Sequence, residues 1–341
     1  MEDSATLKVL TLNARFLLDR HHAREELIKD ALRGHDVVCL QEVATGGVWS
    51  GQEKRLAEAV SKDGNRHDVL VTSDVCVPSY IAQTPLVGRV FTFAFESRLG
   101  LFLRDLWHLF NDAFLEGFLS IFDGATLFHM PIFGHLVYVL LGTVWLFGNA
   151  TITRKTLQPQ PHSPLLVGGT YRVAQKTLLR VPLTPDGLHY RNVWVVNTHL
   201  TDTPQGSDLK QLQRCQEQRT REFLKILIWL ESDENMQPED AVIMMGDMNA
   251  QPHERLHSFV AEYGFRSAYK VAHGAEPEKT FHQNHECPTK DVTPEECIDY
   301  VFYRGPLQVT DAEIRANKPH PDDARIYPSD HFAVSATFAV L

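Results

Sequence analysis

Six short segments of the chain put acids, amides or imidazoles at the ends of apolar, strand-like runs. They are LTLNA with Asn13, CLQEV with Glu42, VNTHL with Asn197 and His199, MGDMNAQP with Asp247 and Asn249, and a late pair, IDYV with Asp299 and PSDHF with Asp330 and His331. Groups at strand ends sit on the rim of a sheet, where several can converge on one cleft. The set is rich in carboxylates and carboxamides, carries two histidines, and offers no serine or cysteine as a nucleophile. Hard oxygen donors suit Mg²⁺ or Mn²⁺ better than Zn²⁺. Histidines beside carboxylates suit proton transfer and stabilisation of a phosphoryl oxyanion. Together they fit attack of an activated water on a phosphate ester. Each piece alone is ordinary: an Asp-His pair closes loops, a Gly-Asp pair makes turns, and a Gln-Glu pair ends exposed strands. The weight lies in the ordered set.

The elements that must hold these residues alternate in type. Residues 7–12, 36–40, 67–72, 150–154, 171–179, 192–198, 241–245, 298–303 and 332–338 have strand patterns, and 22–32, 53–60, 207–231 and 255–262 have helical spacing. In the longest helix, Leu209, Leu212, Cys215, Phe223, Ile226, Leu227 and Leu230 mark the expected buried face, with Ser207 as N-cap. Strands and helices mixed throughout predict an α/β protein with two mixed sheets. There is no internal repeat and no low-complexity tract.

One stretch departs from this pattern, at about residues 78–135. Leu99, Phe102, Leu103, Leu106, Phe110, Ala113 and Phe114 fall at helical spacing beside a polar stripe of Arg104, His108, Asp112 and Glu116. That is an amphipathic helix with a broad apolar face, followed by FLSIF, TLFHMPIF and LVYVLLGTVWLF. Extra core is one reading, and a surface for lipid or a partner is the sharper one. Residues 136–147 would reach about 18 Å as a helix, against a hydrocarbon layer of roughly 30 Å, so an integral span is not expected. The stretch 136–146 reads as a strand, since Val, Tyr, Thr and Trp favour one.

The chain has 341 residues, 43% hydrophobic and 22% charged, which fits a globular protein with ample core. Lys and Arg number 33 against 43 Asp and Glu, a net charge of −10. A surface of that sign does not favour sequence-independent grip on a nucleic-acid backbone, although it leaves room for a local basic cleft. Five cysteines with no C-x-x-C pair point to a reducing compartment. The N-terminal MEDSATLKVL lacks the pattern of a secretory signal, so a cytoplasmic location is the expectation, and the sequon at Asn149 reads as incidental. His282, His285, Cys287 and Cys297 include zinc-type ligands at a spacing that matches no zinc pattern, and read as incidental loop residues.

The ordered motifs LQE, GNATITR, NTHL, GDMNAQP, IDYVFY and SDHFAV resemble those of the endonuclease/exonuclease/phosphatase superfamily, also called deoxyribonuclease I-like. The resemblance runs from about residue 7 to 338 and is interrupted near 80–135. It implies a single domain over 1–341 with an insertion at about 78–135, folded as a four-layer α/β/β/α sandwich with its site at the top of two packed sheets. It also implies roles. Glu42 would be the principal metal ligand with Asn13 beside it, and Asp330 a second metal-side carboxylate. Asp247 would orient or deprotonate the attacking water, and Asn249 would hold the scissile phosphate. His331 would stabilise the developing charge, with Asp299 fixing its tautomer, and His199 would serve the phosphate or leaving group. Asn149 and Asn197 would lie at the substrate. The implied cofactor is Mg²⁺, with Mn²⁺ able to substitute.

The superfamily's substrates include nucleic acids and lipids. The net charge and the apolar insertion favour a phospholipid, resembling the neutral sphingomyelinase-like branch, with peripheral membrane contact through 78–135. The alternatives are a nuclease or deadenylase-like enzyme, a phosphatase of a small soluble ester, and an inactive scaffold. A nuclease would need a basic groove, for which Arg154, Lys155, Arg172 and Lys176 are the nearest candidates, and these read first as ordinary solvated strand residues.

Overall fold

The computed structural model describes residues 5–15, 21–45, 52–61, 67–72, 146–168, 172–184, 186–204, 207–282 and 296–341. The expected insertion at 78–135, its helix, and residues 136–145 of the expected strand 136–146 lie outside them, as do His285 and Cys287.

Two mixed sheets pack face to face. The first contains β1 (Ala5–Asn13), β2 (Val37–Thr45), β3 (His67–Thr72), β4 (Leu146–Arg154), β12 (Leu307–Arg315) and β13 (Ala333–Val340), in the order β12-β13-β1-β2-β4-β3. The second contains β5 (Gln160–Pro161), β6 (Leu165–Gly168), β7 (Arg172–Pro182), β8 (Tyr190–His199), β9 (Ala241–Asp247), β10 (Arg266–Ser267) and β11 (Asp299–Arg304). Its order is β10-β11-β9-β8-β7-β5, with β6 also on β7. Only β1 with β2 and β8 with β9 run parallel among the strand pairs of the described residues.

Three apolar clusters define the layers. Between the sheets lie Leu7, Val9, Val37, Cys39, Val193, Val195, Ile243, Met245, Val301, Val334 and Phe338. Outside the first sheet, α1 (His21–Leu32) and α2 (Gln52–Val60) bury Ile28, Leu32, Leu56 and Val60 against Leu10, Leu12, Val38 and Leu40. Outside the second, α3 (Leu209–Glu231) and α4 (Arg255–Glu262) bury Phe223, Leu227, Leu230, Leu256 and Val260 against Trp194, Val196, Val242 and Met244. A short α5 (Ala268–His273) follows β10. This is the expected α/β/β/α sandwich.

Strand alternation explains how the layers meet the site. Side chains two apart share a face. On β1 the inner face runs Leu7, Val9, Thr11, Asn13; on β8 it runs Val193, Val195, Asn197, His199; on β9 it runs Ile243, Met245, Asp247. On β11, which runs antiparallel to β9, it runs back from Tyr303 through Val301 to Asp299. Each inner face is therefore apolar along most of its length and polar at one end, and the polar ends coincide.

Two local expectations change. The N-cap of α3 is Asp208, whose carboxylate accepts from Gln211 N at 2.7 Å, while Ser207 Oγ donates to Pro204 O. The first turns of α3 stand off the sheet: Leu209 is 80% exposed, Leu212 and Cys215 are half-buried, and the buried face starts at Arg219. The long edge strand β12 has no counterpart in the sequence reading. Among the described residues no helix is long and apolar enough to cross a membrane.

Candidate active site

Asp247, the last residue of β9, is the hub. Its Oδ2 accepts from Asn13 Nδ2 at 3.0 Å and its Oδ1 from the Asn249 backbone N at 2.9 Å. His199 Nε2 lies 3.4 Å and His331 Nε2 3.8 Å from Oδ2, and His331 Nδ1 is 2.9 Å from Asp299 Oδ2. Asp247, Asp299 and His331 each offer one ligand atom within 4.8 Å of one another, and all three are buried.

Backbone geometry sets this up. Gly246 takes φ 150°, and a Cβ there would lie 1.8 Å from Thr198 O, so only glycine lets β9 pass β8 at this point. Asn249 adopts φ 50° and ties its side-chain amide to Leu200 O at 3.0 Å. Glu42 adopts φ 52° at a register shift between β2 and β4. It therefore sits inside β2, which continues to Thr45, and not at a strand end.

Charge is arranged in pairs. Burial alone would lower the His331 pKa, but the Asp299 and Asp247 carboxylates outweigh it and push it up to about 10. The imidazole is thus cationic at neutral pH and donates from Nδ1 to Asp299. Burial, helped by the charge of Asp299, pushes Asp247 up to about 7, against the pull of His331 and the Asn13 bond. His199 is held well below its ordinary value by burial, then by Arg172 and His331. Arg172 Nη1 is 2.6 Å from His199 Nε2; a guanidinium only donates, so this nitrogen accepts and the proton of the neutral ring is on Nδ1. Arg172 Nη2 also pairs with Asp202 at 2.6 Å.

Glu42 is half-buried, and its carboxyl is raised by burial and by the negative charge of Asp330, with a bond from Asn13 working the other way. Burial would raise Asp330 too, but Arg15, with Nη1 3.5 Å away, helps hold it below the usual carboxylate range. Asn13 does not offer its oxygen: Oδ1 accepts from Arg15 N at 3.0 Å, and the amide nitrogen faces the carboxylates. The side chains with oxygens suited to a hard cation are therefore Glu42 and Asp330, while Asp299, whose buried Oδ1 has no hydrogen-bond partner among the described residues, stands with Asp247 and His331. The mutually repelling carboxylates of Glu42 and Asp330 fit a divalent cation between them.

The other expected site residues lie lower. Asn197 is fully buried one layer beneath the mouth, with its amide spent on Gln41, Leu40 O and Ala150 O. Asn149 is 2% exposed, with Nδ2 on Val173 O. Both amides are thus taken up by partners within the fold. Of the basic candidates, Arg154 pairs with Asp36, and Lys176 is buried against Asp233 and the Trp229 ring. His282 bonds Ser329 O and stacks on Phe332. Sequence reading named Arg172 only as one candidate for a basic groove, since nothing local in the chain shows that it reaches His199. It also missed Ser329, whose Oγ donates to Asn13 O at 2.7 Å and accepts from His331 N at 3.2 Å.

Residues 10–331 match the sequence model of the Endonuclease/Exonuclease/phosphatase family. The chain belongs to that family. Its members are hydrolases of phosphoester bonds that generally use divalent metal ions, and they include phosphodiesterases, nucleases and deadenylases. The fold is similar to truncated TDP2 from Caenorhabditis elegans (15% identity, 98% of each chain, TM-score 0.54). It is also similar to the human Nocturnin catalytic domain with bound sulfate (16% identity, 100% of this chain and 97% of that one, TM-score 0.57). A family protein from Bacteroides thetaiotaomicron is alike as well (12% identity, 98% of each chain, TM-score 0.58). No curated protein sequence matches this one.

Proposed function

We propose that the chain is a Mg²⁺-dependent phosphodiesterase in which Asp247 activates water and His331 receives the developing phosphoryl charge. The observation that carries this reading is the Asp299–His331–Asp247 line, in which one carboxylate holds the imidazole cationic and its far nitrogen faces the second. Glu42 and Asp330 would hold the cation, which when bound supplies positive charge to the phosphoryl oxygens. Asp247, raised to about 7, is a base poised near neutral pH, and Asn13 and the Asn249 N–H fix its orientation. His331 offers a preformed cation to the oxyanion, as electrostatic stabilisation requires. His199 is neutral and receives a bond from Arg172, so Arg172 supplies the positive charge on that side.

A phospholipid is the favoured substrate class, supported by the net charge of −10 and the apolar sequence near 78–135. The test is Mg²⁺-dependent release of phosphocholine from sphingomyelin vesicles, with a generic aryl phosphodiester alongside, for wild type and Asp247→Ala. Release by wild type alone supports both parts of the reading. Cleavage of the aryl ester without lipid release moves the substrate to nucleic acid or a soluble ester. Turnover of the aryl ester by Asp247→Ala at the wild-type rate overturns the chemistry.

A further inference from the structure

The bulge that carries Glu42 is held by a side chain from the opposite sheet. β2 and β4 run in register from Val37 with Thr153 to Leu40 with Ala150, and resume at Val43 with Gly148. Two residues of β2, Gln41 and Glu42, therefore face one of β4, Asn149. Such a bulge re-aims side chains, and a left-handed non-glycine residue such as Glu42 persists only where its surroundings over-determine it. Asn197, on β8, provides that constraint. Its Nδ2 lies 3.2 Å from Leu40 O and 3.1 Å from Ala150 O, the last pair in register before the shift. Thr151 Oγ1 at 3.3 Å and Gln175 Oε1 at 3.2 Å share the same two hydrogens. Its Oδ1 accepts from Gln41 Nε2 at 2.8 Å, and Gln41 Nε2 also reaches Thr11 Oγ1 at 3.1 Å. One fully buried amide thus grips the two residues immediately before Glu42 and the strand opposite.

We propose that Asn197 is a positioning residue: it fixes the aim of the Glu42 carboxylate and so sets the affinity of the site for its divalent cation, without touching cation or substrate. This rests on the reading that Glu42 holds the cation. An amide used only to join two sheets would affect stability alone. A positioning amide affects Mg²⁺ affinity in protein that remains folded, because a misplaced ligand loses its geometry before the fold is lost.

The experiment measures Mg²⁺ affinity twice, by calorimetric titration of the metal-free protein and by the Mg²⁺ concentration giving half-maximal hydrolysis of an aryl phosphodiester. The variants are Asn197→Ala, Gln41→Met, Glu42→Ala and, as a core control on the far side of the second sheet, Leu227→Ala. Asn197→Ala is expected to weaken Mg²⁺ by tenfold or more in both measurements, with Gln41→Met in the same direction and Leu227→Ala unchanged. If Asn197→Ala does not fold, Gln41→Met decides by the same criterion. Loss of affinity in Glu42→Ala with none in the folded Asn197 or Gln41 variants overturns the inference and leaves the site reading intact. An equal loss in Leu227→Ala also overturns it, since the effect would then follow stability. Unchanged affinity in Glu42→Ala overturns the site reading itself.

Discussion

Replacing Glu254 by alanine should destabilise the protein far more than a surface change, because it strands a buried cation between two active-site loops. Arg219 on α3 is 1% exposed. Its guanidinium meets Glu254 Oε2 through Nη2 at 2.6 Å and Nε at 3.2 Å, and Nη1 donates to Thr201 O and Thr203 Oγ1. Glu254 Oε1 accepts from Gln251 N. One pair therefore ties the segment after His199 to the segment after Asp247 and Asn249. Removing one partner of a buried pair costs about 3–5 kcal/mol. With an unfolding entropy of about 2.1 cal/mol/K per residue, the 341-residue chain has about 0.7 kcal/mol/K, so Tm should fall by roughly 4–7 °C. Urea and thermal unfolding of Glu254→Ala measure this. The double variant Arg219→Met with Glu254→Ala should recover at least half of the loss, since no charge is then left unpaired. A single-variant loss of under about 1 kcal/mol, or two single losses that simply add in the double, would refute the reasoning.

Three further outcomes are expected. Asp299→Asn removes the carboxylate bonded to His331 Nδ1, so the His331 pKa should drop from about 10 by roughly 2 units in the metal-free protein, as followed by NMR of the imidazole; an unchanged titration contradicts the assignment. Gly246→Ala forces a Cβ to 1.8 Å from Thr198 O at φ 150°, and should cost more than about 4 kcal/mol; a variant melting near wild type would show that β9 can move away from β8. His35 is 2% exposed and bonded to Leu32 O and Ser335 Oγ, and burial lowers its pKa from 6.5 to about 4. The folded state resists protonation there. The neutral ring's contribution of about 3 kcal/mol is therefore full above pH 6.5 and is lost as pH falls from 6.5 towards 4. His35→Gln should flatten the stability profile in that window, and an identical slope in wild type and variant would count against it.

The fold was legible wherever one face of an element met one environment. The inner faces of β1, β8 and β9 alternate without a break, so the strands and their polar ends could be read together. β12 could not, because only Leu307 and Ala312 of its nine residues are buried and an edge strand has no second neighbour to enforce a pattern. The start of α3 misled for the opposite reason. Leu209 and Leu212 continue the apolar spacing of the helix, but the sheet beneath ends before them, and Arg219 is where packing begins.

The site divides in the same way. Asp247, Asp299 and His199 lie where unbroken alternation places them, so residue type and position agreed in the sequence. Glu42 does not. Val38 and Leu40 point to the helices, and strict alternation would send residue 42 after them, away from the cleft. The bulge inserts one residue, Val43 takes the helix-facing position, and Glu42 is released from the pattern with φ 52°. A register shift depends on the partner strand, which lies about a hundred residues further along the chain, so no local signal in CLQEV could contain it. The same holds for Asn197. Its residue type suggests substrate contact, and its position in β8 suggests core. Its function as a donor is decided by two carbonyls on the other sheet, Leu40 O and Ala150 O, that come into reach only when the sheets pack. Residues that act at the end of one strand can be found from that strand, whereas residues that act across the gap require both sheets to be in place.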